Sequence, residues 1–148
     1  IENVKSSNCY DGWEKELRYF LYRYEESIAP GQISKEVWNK IWATTSYNTV
    51  EHIMPQNYES ENWDTDLDQE DYKVLVNRIG NLAVLPPGVN SKAGHKKFSD
   101  KKVVYEENGA RGIFLIDKIM EEDKWTHRQI VKREEQLLEW AKKEWDDL

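Results

Sequence analysis

The stretch EHIMPQN, residues 51–57, sets an acid beside a histidine and follows them with Pro55. Upstream, TTSYNTV (44–50) is rich in β-branched and aromatic residues, which favour extended chain. Glu51 and His52 should therefore close a short strand, and Pro55, which lacks an N–H, should help to end it. Residues 57–68 are polar and acidic and read as a loop. NLAVL (81–85) reads as a second short, buried strand, and PPG (86–88) as a turn that cannot continue it. VNSKAGHKKF (89–98) then opens a helix, with Asn90 or Ser91 as the natural cap. The order is strand, strand, helix, with His52 near the end of the first strand.

Outside this centre the periodicity is helical. GWEKELRYFLYRYEESIA (12–29) places Trp13, Leu17, Phe20, Leu21, Tyr24 and Ile28 on one face. Asp11 with Glu14 has the spacing of a capping box there. Ser34 caps a second helix with Val37, Trp38, Ile41 and Trp42 inward. Asp68 and Asp71 start another, with Tyr72, Leu75, Val76 and Ile79 inside and Gly80 as its stop. Asn108–Gly109 interrupts the C-terminal third, and Thr126 with Gln129 opens a last helix carrying Ile130, Leu137, Leu138, Ala141 and Trp145. The expected class is α+β: a helical part over 1–48, a small β-β-α core over about 49–102, and a helical part over 103–148, together one domain.

The chain has 148 residues, enough for one domain with a real core. It carries seven tryptophans, 33% charged residues and a net charge of −7. No apolar run approaches the ~20 residues that cross a bilayer, and no signal peptide is visible. Cys9 is the single cysteine, which excludes an internal disulfide and a Cys-rich zinc site and suits a reducing cytoplasm. The chain opens on Ile1, so we expect a piece of a longer protein. Charge is uneven. Residues 51–90 hold eight acids and two bases, a sum of −6, whereas 91–110 hold five lysines and three acids, a sum of +2. A local basic cluster can contact phosphates despite the acidic total, because screening limits distant charges to about 8–10 Å.

The strand–strand–helix order is that of a ββα-metal nuclease core. Further residues fit: Asn81 opens the second strand, Asn90 follows nine positions later, and Lys92, Lys96, Lys97, Lys101 and Lys102 come after. The chain resembles the C-terminal HNH-type domain of the GmrSD family of modification-dependent restriction endonucleases. The resemblance rests on EHIMPQN, RIGNLAVL (78–85), the Asn90–Ser91 pair, KKFSDKK (96–102) and the spacing of Trp125, Ile130, Arg133, Leu137 and Trp145. It implies His52 as general base and Glu51 and Asn90 as ligands of Mg²⁺ or Mn²⁺, with Asn81 orienting the imidazole. It also implies DNA as substrate, a defence role, and an N-terminal NTPase or modification-sensing domain in the parent protein. A monomer should nick, and double-strand cleavage would need two copies.

The residue types suit that chemistry. A neutral imidazole has an ordinary pKa near 6.5 and works as a base at neutral pH. General-base help is worth about 10²–10⁴-fold, too little alone for a phosphodiester, so a divalent ion is needed as well. Mg²⁺ prefers oxygen donors and keeps several waters, so a carboxylate and an amide oxygen suffice beside substrate. Plainer readings stand next to each role. His52 can be a buried histidine at a strand end, Asn90 a helix cap, and Asn81 a partner of the backbone after Gly80. Lys92, Lys96, Lys97 and Lys101 can be a solvated helix face; for phosphate contact we favour Lys96 and Lys101. His95 reads as a surface residue, the tryptophans as packing, and the acids of 59–71 as a solvated loop and helix start. One geometric obstacle remains: neighbours on a strand face opposite ways, so Glu51 and His52 can share a site only if the strand ends there. A catalytically inactive DNA-binding or assembly module is the alternative function.

Overall fold

The computed structural model describes residues 8–57, 63 and 66–146. Eight helices surround a two-stranded antiparallel sheet among these residues: α1 (Glu14–Ile28), α2 (Lys35–Ala43), α3 (Ser46–Thr49), β1 (Val50–His52), α4 (Gln69–Val76), β2 (Leu82–Val84), α5 (Val89–Ala93), α6 (Phe98–Glu107), α7 (Phe114–Met120) and α8 (His127–Glu144). The expected α+β, mostly helical class is what the chain forms. β1 pairs with β2 in the register Val50↔Val84, Glu51↔Ala83 and His52↔Leu82. Two strands of three residues are too short to stand alone in water, so the hairpin depends on what packs around it. All six of its residues are buried.

Local signals account for most of the boundaries. Ser34 caps α2 by accepting the Val37 N–H, and Asp68 caps α4 by accepting the Asp71 N–H. Thr126 and Gln129 form the reciprocal capping box of α8. Elsewhere the structure departs from expectation. Asp11 does not cap α1; it lies in the preceding turn and accepts a hydrogen bond from Asn8. Residues 46–49 form one helical turn, because extended chain begins only where the ladder with β2 can satisfy it. The expected helix over 89–98 is two helices. Gly94 breaks it, and α6 restarts at Phe98, so Lys92, Lys96 and Lys97 do not share one helical face. The acids at 59, 61 and 64 lie outside the described residues.

The last helix braces the hairpin. α4 ends at Val76, and Ile79–Asn81 form a 3-10 turn packed on α8. There Arg133 donates from Nη1 to the carbonyls of Ile79, Gly80 and Leu82, at 3.2, 2.9 and 2.8 Å. Arg78 pairs with the buried Glu134. Gly80 is required by proximity: a Cβ at this position would stand 2.1 Å from the Ile130 carbonyl oxygen. Gly80→Ala should therefore push α8 off the turn and cost about 1–3 kcal/mol, as overpacking does. The urea midpoint checks this, and an unchanged midpoint would show that the contact is soft. On the far side, the buried Glu25 of α1 accepts the N–H groups of Phe114 and Leu115 at 2.6 and 3.0 Å, which ties the start of α7 to α1.

Candidate functional site

A cleft of about 300 Å³ opens where β1 ends, between α3, α5 and the segment after His52. Glu51, His52 and Asn90 all line it, with Tyr10, Tyr47 and His95. β1 stops at His52 and the chain bends away, which is the condition under which neighbouring strand residues can share a site. Glu51 turns toward α6 and His52 toward the end of α4, and both still reach the cleft.

His52 is 9% exposed, and its Nε2 lies 3.0 Å from Asn77 Oδ1. An amide oxygen only accepts, so Nε2 carries the hydrogen. The neighbours agree with that amide orientation: Gln56 Nε2 donates to the same oxygen, and Asn77 Nδ2 donates to the Lys73 carbonyl. Nδ1 is therefore the lone-pair nitrogen. Burial pulls the imidazole down to about 4, the Asn77 bond works the other way, and the Lys101 ammonium adds to the lowering. Tyr10 meets the ring edge-on at 4.5 Å between centroids.

Glu51 is 3% exposed and receives two donors on Oε1, Lys101 Nζ at 2.6 Å and Tyr105 Oη at 2.7 Å. Lys101 Nζ also donates to the His52 carbonyl at 2.7 Å. Burial pushes the Glu51 carboxyl up and the Lys101 ammonium down, and their mutual attraction opposes both shifts. With two acceptors on the ammonium and two donors on the carboxylate, the geometry is that of an ion pair. Oε2 receives no hydrogen bond from the described residues.

Asn90 is not a cap. Its Nδ2 donates to the carbonyls of Tyr47 and Val50, at 2.6 and 3.2 Å, which turns the amide toward β1. Its Oδ1 is buried without a partner. Such an atom normally costs free energy unless something meets it, and a cation can. Among the described residues, no group of three or more His, Cys, Asp and Glu side chains could hold an ion. The available donors are the Glu51 carboxylate and Asn90 Oδ1, from two residues that line one cleft, and oxygen donors of this kind suit a hard cation that keeps most of its waters.

Two expectations need correction. Asn81 does not touch the imidazole; Asn77 does. Asn81 is fully buried, accepts the Met54 N–H and Trp125 Nε1 on Oδ1, and donates to the Met54 and Val76 carbonyls. It clamps the chain leaving β1 and so acts on the site through the backbone. Lys101 does not offer its ammonium to a phosphate: it is 0% exposed and bonded to Glu51. Lys92, Lys96 and Lys97 are exposed, and Lys92 donates to Asn108 Oδ1. His95 is exposed as expected, but it lines the cleft. The tryptophans divide: Trp38, Trp63 and Trp125 are buried, whereas Trp13 and Trp42 are 44% and 38% exposed.

Sequence reasoning missed Asn77, Tyr105 and Tyr10. Asn77 had a faint signal, standing four positions before Asn81 at the end of a helical pattern. Tyr105 had one too, a helical turn beyond Lys101 and on its face.

A family model described as "GmrSD restriction endonucleases, C-terminal domain" matches residues 1–140. The chain belongs to this family. The match spans nearly the whole sequence, and it takes in the hairpin, the cleft and most of the bracing helix of this GmrSD C-terminal domain. No curated protein and no solved structure matches the chain. A restriction endonuclease-type role follows from the family, and no helix among the described residues is long and apolar enough to cross a membrane.

Proposed function

We propose that the domain is an HNH-type, metal-dependent endonuclease that nicks DNA. The observation that carries this reading is the convergence, in one cleft, of a neutral histidine with a defined lone-pair nitrogen and two oxygen donors not fully engaged. His52 Nδ1 takes a proton from water, whose oxygen attacks phosphorus in line. The P–O3′ bond breaks, the 3′ oxygen leaves and acquires a proton from solvent, and a 5′-phosphate remains. Asn77 holds the imidazole in the tautomer this requires, and Asn81 fixes the backbone beyond it. Glu51 and Asn90 would hold Mg²⁺ or Mn²⁺, which when bound supplies positive charge at the phosphate and the departing oxygen. Lys96 and Lys97, exposed beside the cleft-lining His95, are the candidates for phosphate contact. The DNA substrate, a parent protein with an NTPase or sensing domain, and double-strand breaks by paired copies belong to the same proposal.

The test is nicking of supercoiled plasmid. Relaxed circles should accumulate with Mg²⁺ or Mn²⁺ and stop on chelation. Cutting that survives chelation would remove the metal from the reading, and no cutting with either ion would remove the activity. A second reading, an inactive DNA-binding or assembly module, draws on the Lys101 ammonium against Glu51, which supplies positive charge where a cation would. Absence of Mn²⁺ binding at saturating concentration would favour that reading.

A further inference from the structure

The cleft has an aromatic wall that proton transfer does not require. Tyr47 lines it and is 71% exposed, the most exposed of the large hydrophobic side chains among the described residues. Tyr10 lines it as well, with its ring edge-on against His52. Both phenols thus border the space into which a strand would enter. The backbone under Tyr47 is fixed by Asn90, which donates to the Tyr47 carbonyl at 2.6 Å. Tyr47 is thus anchored at its main chain by Asn90, open at its ring, and part of the cleft that Glu51 and His52 line.

The same cleft is poor in cations. No lysine or arginine is among its lining residues, and the nearby Lys101 is paired with Glu51. A polyanion entering there gains little Coulomb energy from the walls. The exposed Lys96 and Lys97 can each meet a phosphate outside it, a small number of contacts. Apart from any cation held by Glu51 and Asn90, grip by the cleft walls must come from another source. Base–aromatic stacking is such a source, needs no charge and tolerates any base. A base within continuous duplex already has both faces covered, so stacking on Tyr47 requires it to leave the helix. That step is least costly where the base is unpaired.

We propose that Tyr47, on the same cleft wall as Tyr10, is a stacking platform for the nucleobase beside the scissile phosphate. The site therefore takes a strand with an unpaired or splayed nucleotide in preference to continuous duplex. This names the substrate class of the site and rests on the nuclease reading for its cleavage consequences, though not for binding.

The experiment has a binding arm and a cleavage arm. Binding is measured with chelator present, by quenching of 2-aminopurine placed in a single-stranded oligonucleotide and in the same sequence as duplex. The single strand should bind at least about tenfold more tightly. Tyr47→Ala should weaken it about 5- to 150-fold and Tyr47→Phe by no more than about twofold, since stacking needs the ring and not the hydroxyl. With only Lys96 and Lys97 on phosphates, log K against log salt should have a shallow slope of about −1 to −2. Equal affinity for duplex, or a Tyr47→Ala protein that binds as well as wild type, overturns the proposal. The cleavage arm repeats the comparison with Mn²⁺. If nothing is cut but Tyr47-dependent binding persists, the platform stands and the nuclease reading falls. If single strand and duplex are cut equally and Tyr47→Ala changes neither rate, the platform falls alone.

Discussion

His52→Ala is expected to slow plasmid nicking by about 10²–10⁴-fold, equivalent to about 3–5 kcal/mol of barrier. The size follows from the role: water loses its assigned proton acceptor, while Glu51, Asn90 and the cleft remain. Because His52 is buried, His52→Gln is the companion variant. A glutamine amide can still donate to Asn77 Oδ1, so it preserves the packing and removes the base. Both should show this slowing with unchanged circular dichroism, and nicking within about tenfold of wild type by either would exclude His52 as the base. The pH dependence carries the sign of the shift. An imidazole held at about 4 stays neutral down to mildly acidic pH, so the acidic limb of kcat/KM assigned to His52 should lie near pH 4 and not near its ordinary value. The same shift acts on stability. The unfolded chain binds this proton first, so the folded state loses stability as pH falls from about 6.5 toward 4, and none of this loss operates above that range.

Lys101→Met is expected to destabilise the domain by about 3–5 kcal/mol, read as a fall in urea midpoint at neutral pH. Methionine fills much the same volume, so the loss comes from the charge. Glu51 would keep the Tyr105 donor but face burial without an ammonium. Adding Glu51→Gln should recover most of the loss, because an amide in that place carries no charge to strand. A single-variant effect below about 1 kcal/mol would mean that the pair is replaceable by water, as surface pairs are. The double variant has a second readout. If Glu51 is a metal ligand, Mn²⁺ affinity should stay low even though the fold is restored.

How far the chain could be read in advance depended on whether the cause was local. Ser34, Asp68 and the Thr126–Gln129 box act within three residues, and each caps the helix expected of it. The short strands around Glu51 and Ala83 were visible because β-branched and apolar residues concentrate there between turn signals. The failures are non-local. A lysine in a run of lysines reads as surface, since only a counter-charge can bring it inside; that counter-charge, Glu51, is 50 residues away. Asn77 holds the ring in place of Asn81 because the 3-10 turn between α4 and β2 carries the Asn81 amide into the core. The shared lysine face was lost to Gly94, which ends α5 after five residues. The cleft drew in Tyr10 from a turn before α1, which no spacing rule links to a histidine 42 positions later.

The Asn81 clamp bears on any attempt to carry this chemistry elsewhere. One of its four bonds comes from Trp125, and the turn beneath it is held by Arg133, both far downstream of the hairpin. A graft containing only the hairpin and the helix after it would arrive without the scaffolding that aims its histidine. The smallest transplantable unit therefore runs through the final helix, and shortening the protein from its C-terminal end would blunt the site before it touched a single residue lining it.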